Sequence, residues 1–317
     1  MAKYNLFKKT KLKKVLVCIL YHDTKINLFS LIKKIELNEN HKILIIVDGK
    51  KFIKNKKKIL SLNKKIKFIY SLKKKTVAYN RNLGLHNAKN KFDIILYLDS
   101  DVIPEKKIIT KHLKYHNQYI NIPLLGGVVI PSFFKNDFNL WEILDGCLSW
   151  FTSIDNNLNK MINKPYHLPT CNLSIKINFL TKNKISFDEK LKTGEDVDLC
   201  NKIRDKNGKI MLIKNTSVLH NDRKNFKGFF NHHANWGRHQ YYTLYKKKYF
   251  DIIGKNFFNI TFLFVYPFLM PIINLIATFL IIFPWIKFKL RFALLLIPAY
   301  AIHLIKGFFT YLEFLKR

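Results

Sequence analysis

The chain has 317 residues, of which 48% are hydrophobic, so it has ample apolar side chains for a core, which argues against global disorder. Its 56 Lys and Arg residues against 21 Asp and Glu residues give a formal net charge of +35. This charge favours phosphate-bearing partners or an anionic membrane leaflet, although lysines spread through the whole chain are also typical of a compositional bias, and the two explanations are compatible. The four cysteines, Cys18, Cys147, Cys171 and Cys200, have no Cys-x-x-Cys spacing, which argues against a zinc site or a disulfide framework and favours a reducing cytosolic setting.

The first half of the chain alternates short apolar runs with helical patterns. Residues 1–13 form a basic N-terminal segment, and the run VLVCIL that follows it is shorter than the roughly 7–15 residues of a signal-peptide core. Apolar runs without internal alternation, separated by helices, predict a parallel sheet covered on both faces. The predicted strands are 15–21, 42–48, 66–71 and 93–99, and the predicted helices are 27–37 and 76–88.

The second half begins with a looser pattern and ends in apolar segments. A strand is predicted within 124–134, a helix within 139–151, and a helix near 196–205 that leads into a strand at 210–220. Residues 226–242, FKGFFNHHANWGRHQYY, predict an amphipathic helix that rests on a membrane or lines an acceptor cleft.

Two C-terminal apolar runs predict association with a membrane. Residues 257–286 contain no charge and exceed the roughly 20 residues that cross a bilayer, and a second run covers 292–305. A spanning hairpin would place Lys287, Lys289 and Arg291 on the far side, against the usual excess of positive charge on the cytoplasmic side. A re-entrant or interfacial pair would keep these charges inside, and the sequence leaves both arrangements open.

Two carboxylates stand at the end of a predicted buried strand, in FDIILYLDSDVIPE at residues 92–105. Asp99 and Asp101 would be costly there without a partner, because unpaired buried carboxylates cost several kcal/mol and each raises the pKa of the other. A bound cation removes both costs. Asp48 follows the second predicted strand, and ligands of parallel sheets gather at such carboxyl ends.

The segments RNLGLHNAKNKFDIILYLDSD and FDEKLKTGEDVDLCNKI, with their acidic motifs about 95 residues apart, together resemble the family 2 glycosyltransferases over about residues 14–240. The resemblance implies an α/β fold of the GT-A type, a Rossmann-like and mostly parallel sheet flanked by helices, followed by C-terminal hydrophobic membrane helices. It places the GT-A domain at 14–245 and the membrane-associated or transmembrane helices at 257–313.

The resemblance also implies a divalent cation, Mg²⁺ or Mn²⁺, which neutralises the diphosphate leaving group. Asp101 is expected to bind the metal directly, and Asp99 to bind the donor ribose or the water shell of the metal. His220 occupies a position where many enzymes of this fold place a histidine on the metal or the diphosphate. The alternatives are an acidic turn and a structural histidine.

In TGEDVDL the resemblance makes Asp196 the general base, which takes the proton of an acceptor hydroxyl in a single displacement with inversion. Glu195 would orient the acceptor or the base. The alternative is that acids in a first helical turn simply complement the helix dipole, and we expect this of Asp198.

Four further positions are expected to bind the nucleotide-sugar donor. Asp48 would meet the base or the ribose, although VDGK departs from the two acids before Gly-Ser that are common in the family. Arg81 would face the diphosphate or lie at a solvated helix position. Cys171 and Asn172, in PTCNLSIK, would line the loop beneath the sugar.

Trp236 and Arg238 are expected to meet the acceptor. Processive synthases of the superfamily carry Gln-x-x-Arg-Trp near this point, whereas here Trp precedes Arg without such a Gln. This order favours transfer of one sugar per encounter.

The resulting hypothesis is an inverting glycosyltransferase of the cell membrane, with its catalytic domain in the cytoplasm, that acts on a saccharide or lipid-linked acceptor in the synthesis of a cell-surface glycan or glycolipid. A synthase that loads a sugar onto a polyprenyl phosphate is the alternative within the enzyme class. A nucleic-acid-binding or scaffold protein is the alternative outside it. That last alternative does not account for the acids, of which seven out of 21 cluster in three motifs, so no nucleic acid partner is expected.

Overall fold

The structure is a computed structural model that describes residues 13–21, 28–49, 53, 55–71, 75–134, 139–150, 165, 167–242 and 255–316. Residues 1–12 of the predicted basic segment and parts of the predicted GT-A domain, of which 151–164 is the longest, lie outside the described residues.

Within this part of the chain, eight strands form one mixed sheet with helices on both faces. The strands are β1 Val15–Tyr21, β2 His41–Val47, β3 Ile66–Tyr70, β4 Ile94–Asp99, β5 Val102–Pro104, β6 Leu124–Pro131, β7 Asn172–Lys176 and β8 Ile210–His220. Their order in the sheet is β3-β2-β1-β4-β7-β6-β8-β5. The predicted strands and helices are confirmed, with boundaries that differ by a few residues, whereas β5 and β7 were not predicted. The helices are α1 Leu28–Lys33, α2 Lys56–Leu62, α3 Val77–Ala88, α4 Ile108–Gln118, α5 Leu140–Ser149, α6 Ile177–Lys182, α7 Glu195–Asp205, α8 Phe226–Gln240, α9 Lys255–Phe264, α10 Tyr266–Phe288 and α11 Leu296–Leu315.

The first four strands form the parallel half of the sheet. Strand β1 pairs in parallel with β2 on one side and with β4 on the other, and all seven of its residues are buried. This burial explains the continuous apolar run, because helices cover both faces of the strand. Leu20 pairs with Asp99, and Tyr21 pairs with Val47. The acids that follow β2 and end β4 therefore flank the end of β1 at one edge.

The other half of the sheet departs from the predicted parallel pattern. Strand β7 lies antiparallel between β4 and β6, and β5 lies antiparallel to β8, while β6 and β8 are parallel. A buried strand has the same apolar composition in either direction, so the direction depends on the connections and not on the hydrophobic pattern.

The C-terminal helices pack on α5 and α8. One buried cluster joins Phe133, Leu144, Phe229, Trp285 and Phe292, so these helices share a core with the rest of the domain. The segments Tyr266–Phe288 and Leu290–Leu315 are long and apolar enough to cross a membrane, by length and composition alone. Pro271 and Pro284 lie inside α10 without ending it.

Candidate active site

Asp48 lies at the carboxyl edge of the sheet, directly after β2. Its side chain is buried, and Oδ1 accepts hydrogen bonds from the backbone N–H of Lys75 at 3.0 Å and from Nδ2 of Asn80 at 3.4 Å. Gly49 follows with φ of 75°, a conformation that glycine adopts without steric cost. Asp48 is thus fixed at the edge beside the end of β1.

Arg81 connects the two acidic motifs. It projects from α3, whose N-cap Thr76 accepts a hydrogen bond from the backbone of Tyr79 at 3.2 Å. The Arg81 side chain is 4% exposed, with Nη2 3.2 Å from Oδ1 of Asp99 and Nη1 paired with Oε1 of Glu195. The alternative that Arg81 lies at a solvated helix position is wrong.

The charges in this group depend on each other. Burial raises the pKa of Glu195, and the Arg81 guanidinium opposes that rise. Burial lowers the pKa of Arg81, but Glu195 and Asp99 outweigh burial and leave this pKa above its ordinary value. Arg81 therefore stays a cation. Its charge offsets the repulsion between the carboxylates of Asp99 and Glu195, which both contact it.

The start of α7 presents its acids differently to solvent. Gly194, with φ of 75°, precedes the helix, and the acids of the first turn suit the positive end of its dipole. Glu195 is buried against Arg81, whereas Asp196 is half-buried and accepts a hydrogen bond from the N–H of Val197 at 2.8 Å. Asp198 pairs with Lys202 at 2.7 Å. Asp196 is thus the more accessible of the two acids in the Gly-Glu-Asp motif.

His220 meets Asp101 across the β5–β8 pairing. His220 pairs with Val102 in the antiparallel register, and its Nε2 lies 3.5 Å from Oδ2 of Asp101. Burial lowers the pKa of His220, but Asp101 and Asp222 outweigh it and raise this pKa above its ordinary value.

Asp222 holds the other side of the His220 ring and was not singled out from the sequence. Its Oδ1 lies 2.9 Å from Nδ1 of His220 and accepts a hydrogen bond from Nε1 of Trp150 at 2.8 Å. Its Oδ2 accepts the backbone N–H of Ser132 at 2.9 Å. A carboxylate that receives Nδ1–H leaves Nε2 as the atom that faces Asp101, an arrangement typical of histidines that bind metals. The feature of the sequence that could have identified Asp222 is its position two residues after His220.

Asp101 and His220 fit a divalent cation. Oδ1 of Asp101 is buried without a hydrogen-bond partner in the described part of the chain, and a carboxylate oxygen is a ligand that suits Mn²⁺ or Mg²⁺. Among the described residues no group of three His, Cys, Asp or Glu side chains is arranged to hold a metal.

Cys171 and Asn172 lie inside the fold beside this edge. Cys171 is 2% exposed, and burial, helped by Asp99 and Asp101, raises the pKa of its thiol. The Asn172 amide bonds to Nε2 of His112 at 3.0 Å and to the backbone oxygen of Val128 at 3.2 Å. Their contact with a donor sugar stays a prediction.

Trp236 and Arg238 lie on α8 and contact the C-terminal helices. The Trp236 ring lies against His232, with centroids 4.3 Å apart, and the Arg238 guanidinium lies 4.3 Å from the centre of the Phe309 ring. The first contact lies within α8, and the second joins α8 to α11. Neither reaches the acids at the sheet edge, so a role in binding the acceptor stays a prediction.

A second buried ionic group, also missed from the sequence, supports the segment after β8. Asp145 on α5 pairs with Nη1 of Arg223 at 3.3 Å and with Nε2 of His233 at 3.2 Å. Burial raises the pKa of Asp145, but its hydrogen bond to His233 and the charge of Arg223 leave this pKa below its ordinary value. Helix α5 is thus tied to the turn that carries Asp222.

A sequence model described as Glycosyl transferase family 2 matches residues 24–177. The chain carries a family 2 glycosyltransferase domain. The match includes Asp48, Arg81, Asp99 and Asp101, and it ends before Glu195 and His220. No curated protein sequence matches the chain.

Solved glycosyltransferase structures share the fold of this family 2 domain. The mannosyltransferase PcManGT from Pyrobaculum calidifontis, in complex with GDP-Man and Mn²⁺, superposes with a TM-score of 0.55 at 11% identity, over 73% of this chain and 63% of that one. GalNAc-T7 with UDP, GalNAc and Mn²⁺ gives 0.50 at 15% identity, over 67% and 44%. TarS from S. aureus gives 0.50 at 13% identity, over 81% and 47%. The chain thus spans about half the length of the structures it matches, and the predicted GT-A fold is confirmed.

Proposed function

We propose that this chain is an inverting, metal-dependent glycosyltransferase that moves a sugar from a nucleotide-sugar donor to an acceptor hydroxyl. The observation that carries the proposal is the single cluster in which Arg81 joins Asp99 to Glu195 while His220 stands 3.5 Å from Asp101. This cluster lies at the carboxyl edge of a family 2 domain, where a sheet of this kind binds its ligands.

Asp101 and His220 are the residues that would hold Mg²⁺ or Mn²⁺, with Asp222 orienting the histidine. When bound, the cation neutralises charge on the diphosphate leaving group. Asp99 then faces the donor ribose or the water shell of the cation, and Asp48 faces the base or the ribose. Arg81 fixes Asp99 and Glu195 in one position and adds positive potential on the side where the diphosphate would lie.

Asp196 acts as the general base. The acceptor oxygen attacks the anomeric carbon, the bond between that carbon and the diphosphate oxygen breaks, and the acceptor proton passes to Asp196. Its partial exposure supports this assignment, since an acceptor must reach the base, whereas Glu195 is buried against Arg81. Glu195 therefore positions the start of α7 and does not take up the proton.

The acceptor is a saccharide or a lipid-linked molecule, and the product belongs to a cell-surface glycan or glycolipid. The apolar helices α10 and α11 support attachment to the cytoplasmic face of the cell membrane, where lipid-linked acceptors are accessible. Trp236 and Arg238, on the helix that packs against α11, would meet the acceptor.

A thermal-shift screen of the detergent-solubilised full chain tests the proposal. UDP, GDP, dTDP and CMP are each added with and without Mn²⁺ to the wild type, to Asp101→Asn and to Asp205→Asn, which changes an exposed acid at the far end of α7. We expect a rise of a few degrees in Tm with one nucleotide, dependent on Mn²⁺, lost in Asp101→Asn and kept in Asp205→Asn. If no nucleotide gives a metal-dependent shift in folded wild-type protein, the donor site is refuted.

A further inference from the structure

Helices α10 and α11 form an antiparallel hairpin. Its closed end is the turn that joins the two helices, and its open end is where α10 begins and α11 ends. Near the open end, Oη of Tyr266 donates to the backbone oxygen of Gly307 at 3.3 Å. Further along, Oγ1 of Thr278 lies 2.6 Å from Nδ1 of His303. At the closed end, the rings of Trp285 and Phe292 lie 5.7 Å apart, and residues 289–295 make the turn.

The closed end of this hairpin packs on the catalytic domain. Nε1 of Trp285, a fully buried side chain, donates to the backbone oxygen of Cys147 on α5 at 3.1 Å. Phe292 lies against Phe133, which follows β6, with centroids 5.9 Å apart. Trp150, the residue after α5, is hydrogen-bonded to Asp222 in the candidate site. The turn of the hairpin is therefore connected through α5 and Trp150 to Asp222 in the candidate active site.

The open end packs on the same domain. Tyr241, directly after α8, lies against Phe262 and Phe314 with centroids 5.6 Å and 5.9 Å away. Oη of Tyr242 donates to Oε1 of Glu313 at 3.0 Å. Both ends of the hairpin are thus held by elements of one domain.

The middle of the hairpin is covered by α8 as well. Oγ1 of Thr310 donates to the backbone oxygen of Gly237 at 2.8 Å, and a Cβ at Gly237 would lie 2.4 Å from the backbone oxygen of Lys306. Nζ of Lys306, at the centre of α11, lies 5.3 Å from the centre of the Trp236 ring. The exposed face of α8 carries Asn231 and Asn235, side chains that do not belong in hydrocarbon.

These contacts are incompatible with a hairpin that spans a bilayer. A helix of 23 residues is about 35 Å long, so spanning would separate its two ends by a hydrocarbon layer of about 30 Å. Because α5 holds the closed end and α8 the open end, spanning would also pull Asp145, Lys227 and Arg238 into that layer, where charged side chains are strongly unfavourable.

The side of the hairpin that faces away from the domain is apolar along its whole length. On α10 the exposed side chains recur at helical spacing, and the turn and α11 continue the same surface. Its most exposed members are Phe268 at 79%, Leu280 at 67%, Leu290 at 79%, Leu294 at 82% and Ile297 at 83%. A contiguous surface of this kind on a soluble protein marks an interaction site.

We infer that this hairpin lies flat in one leaflet of a lipid bilayer, with its exposed face among the acyl chains and without crossing the membrane. Lys287, Lys289 and Arg291 are exposed beside that face, where they would meet anionic headgroups on the same side as the catalytic domain. Because of these cations and the net charge of +35, this face is expected to bind an anionic leaflet and not a second, equally cationic copy of this chain. The inference deepens the proposed membrane attachment and does not depend on sugar transfer.

Cysteine labelling on sealed vesicles tests the flat arrangement. The full chain is bound to the outside of vesicles of phosphatidylglycerol and phosphatidylethanolamine and treated with a membrane-impermeant maleimide. Because the four native cysteines are buried, the added thiols dominate the signal. Lys289→Cys reports on the hairpin turn, and Lys182→Cys reports on the exposed surface of α6.

We expect both variants to be labelled before detergent is added. If Lys289→Cys is labelled only after detergent while Lys182→Cys is labelled before, the hairpin crosses the bilayer and the inference is wrong.

A matched pair of substitutions tests the apolar face. Ile297→Glu changes the face, and Ile120→Glu makes the same change at a side chain that is 75% exposed between α4 and β6, outside the hairpin. We expect Ile297→Glu to reduce vesicle flotation at least tenfold and Ile120→Glu to leave it near the wild-type value. Equal flotation of both variants, or a wild type that forms dimers through this face and does not float, would overturn the inference. Neither readout involves a sugar donor, so the absence of transferase activity would leave it standing.

Discussion

Arg81 shows how one side chain makes the candidate site possible. Asp99 and Glu195 come from motifs that lie far apart in the chain, and each carboxylate contacts the same buried guanidinium. Two acids at the edge of a dry sheet would otherwise repel each other and lose hydration. Arg81 therefore has two roles: it compensates the charges of Asp99 and Glu195 in the folded protein, and it fixes the positions of both side chains.

Arg81→Met tests this double role. We expect the substitution to lower the free energy of unfolding by about 3–5 kcal/mol, because it leaves two buried or half-buried carboxylates without their cation. Adding Glu195→Gln should recover part of the loss, since it removes one of the stranded charges. Urea unfolding followed by tryptophan fluorescence measures both. Losses that simply add in the double variant would show that the two side chains do not depend on each other.

At the scale of elements, a buried polar network joins α4 to β7. Oγ of Ser174 lies 2.8 Å from Nδ1 of His112 and 2.8 Å from Nε2 of His116, and His112 also reaches Asn172. Burial lowers the pKa of His112 to about 4, and it lowers the pKa of His116 as well. Both rings therefore stay neutral in the folded protein at neutral pH.

This network makes stability depend on pH. The unfolded chain binds protons at His112 near pH 6.5 and the folded chain only near pH 4, so the free energy of unfolding falls as the pH drops between these values. Between pH 7 and pH 4.5 the loss from His112 alone amounts to about 2 kcal/mol. Urea unfolding at pH 7 and pH 4.5 measures it. We expect His112→Gln to flatten this dependence and His86→Gln, at an exposed position of α3, to leave it unchanged. If the free energy of unfolding falls by the same amount between pH 7 and pH 4.5 in the wild type and in His112→Gln, this explanation of the pH dependence is wrong.

At the scale of the whole molecule, the sequence predicted six of the eight strands of the sheet and that acids gather at its edge, but it did not predict β5 and β7. Apolar runs mark buried strands, and parallel strands bring their carboxyl ends together. Strand β7 lies in the segment that was expected to form the loop beneath the sugar, and its antiparallel direction depends on the chain connections. The pairing of Arg81 with Glu195 needs two segments 114 residues apart to meet, and no local pattern encodes such a contact.

The C-terminal hairpin shows the same limit. Hydropathy identified two apolar segments, but it does not report which face of a helix another element covers. The contacts of α5 and α8 with both ends of the hairpin are long-range, like that of Trp285 with Cys147. Only the fold therefore separates a flat hairpin from a spanning one.

Sugar transfer by this chain is tested most directly by the release of nucleoside diphosphate from a UDP-sugar or GDP-sugar, with and without Mn²⁺. Wild type, Asp101→Asn, Asp196→Asn and Asp205→Asn are compared as full chains in detergent. We expect Mn²⁺-dependent release by the wild type and by Asp205→Asn, with a loss of about a hundredfold or more in the other two. Release by all four proteins alike, or by none of them with either donor, would contradict it.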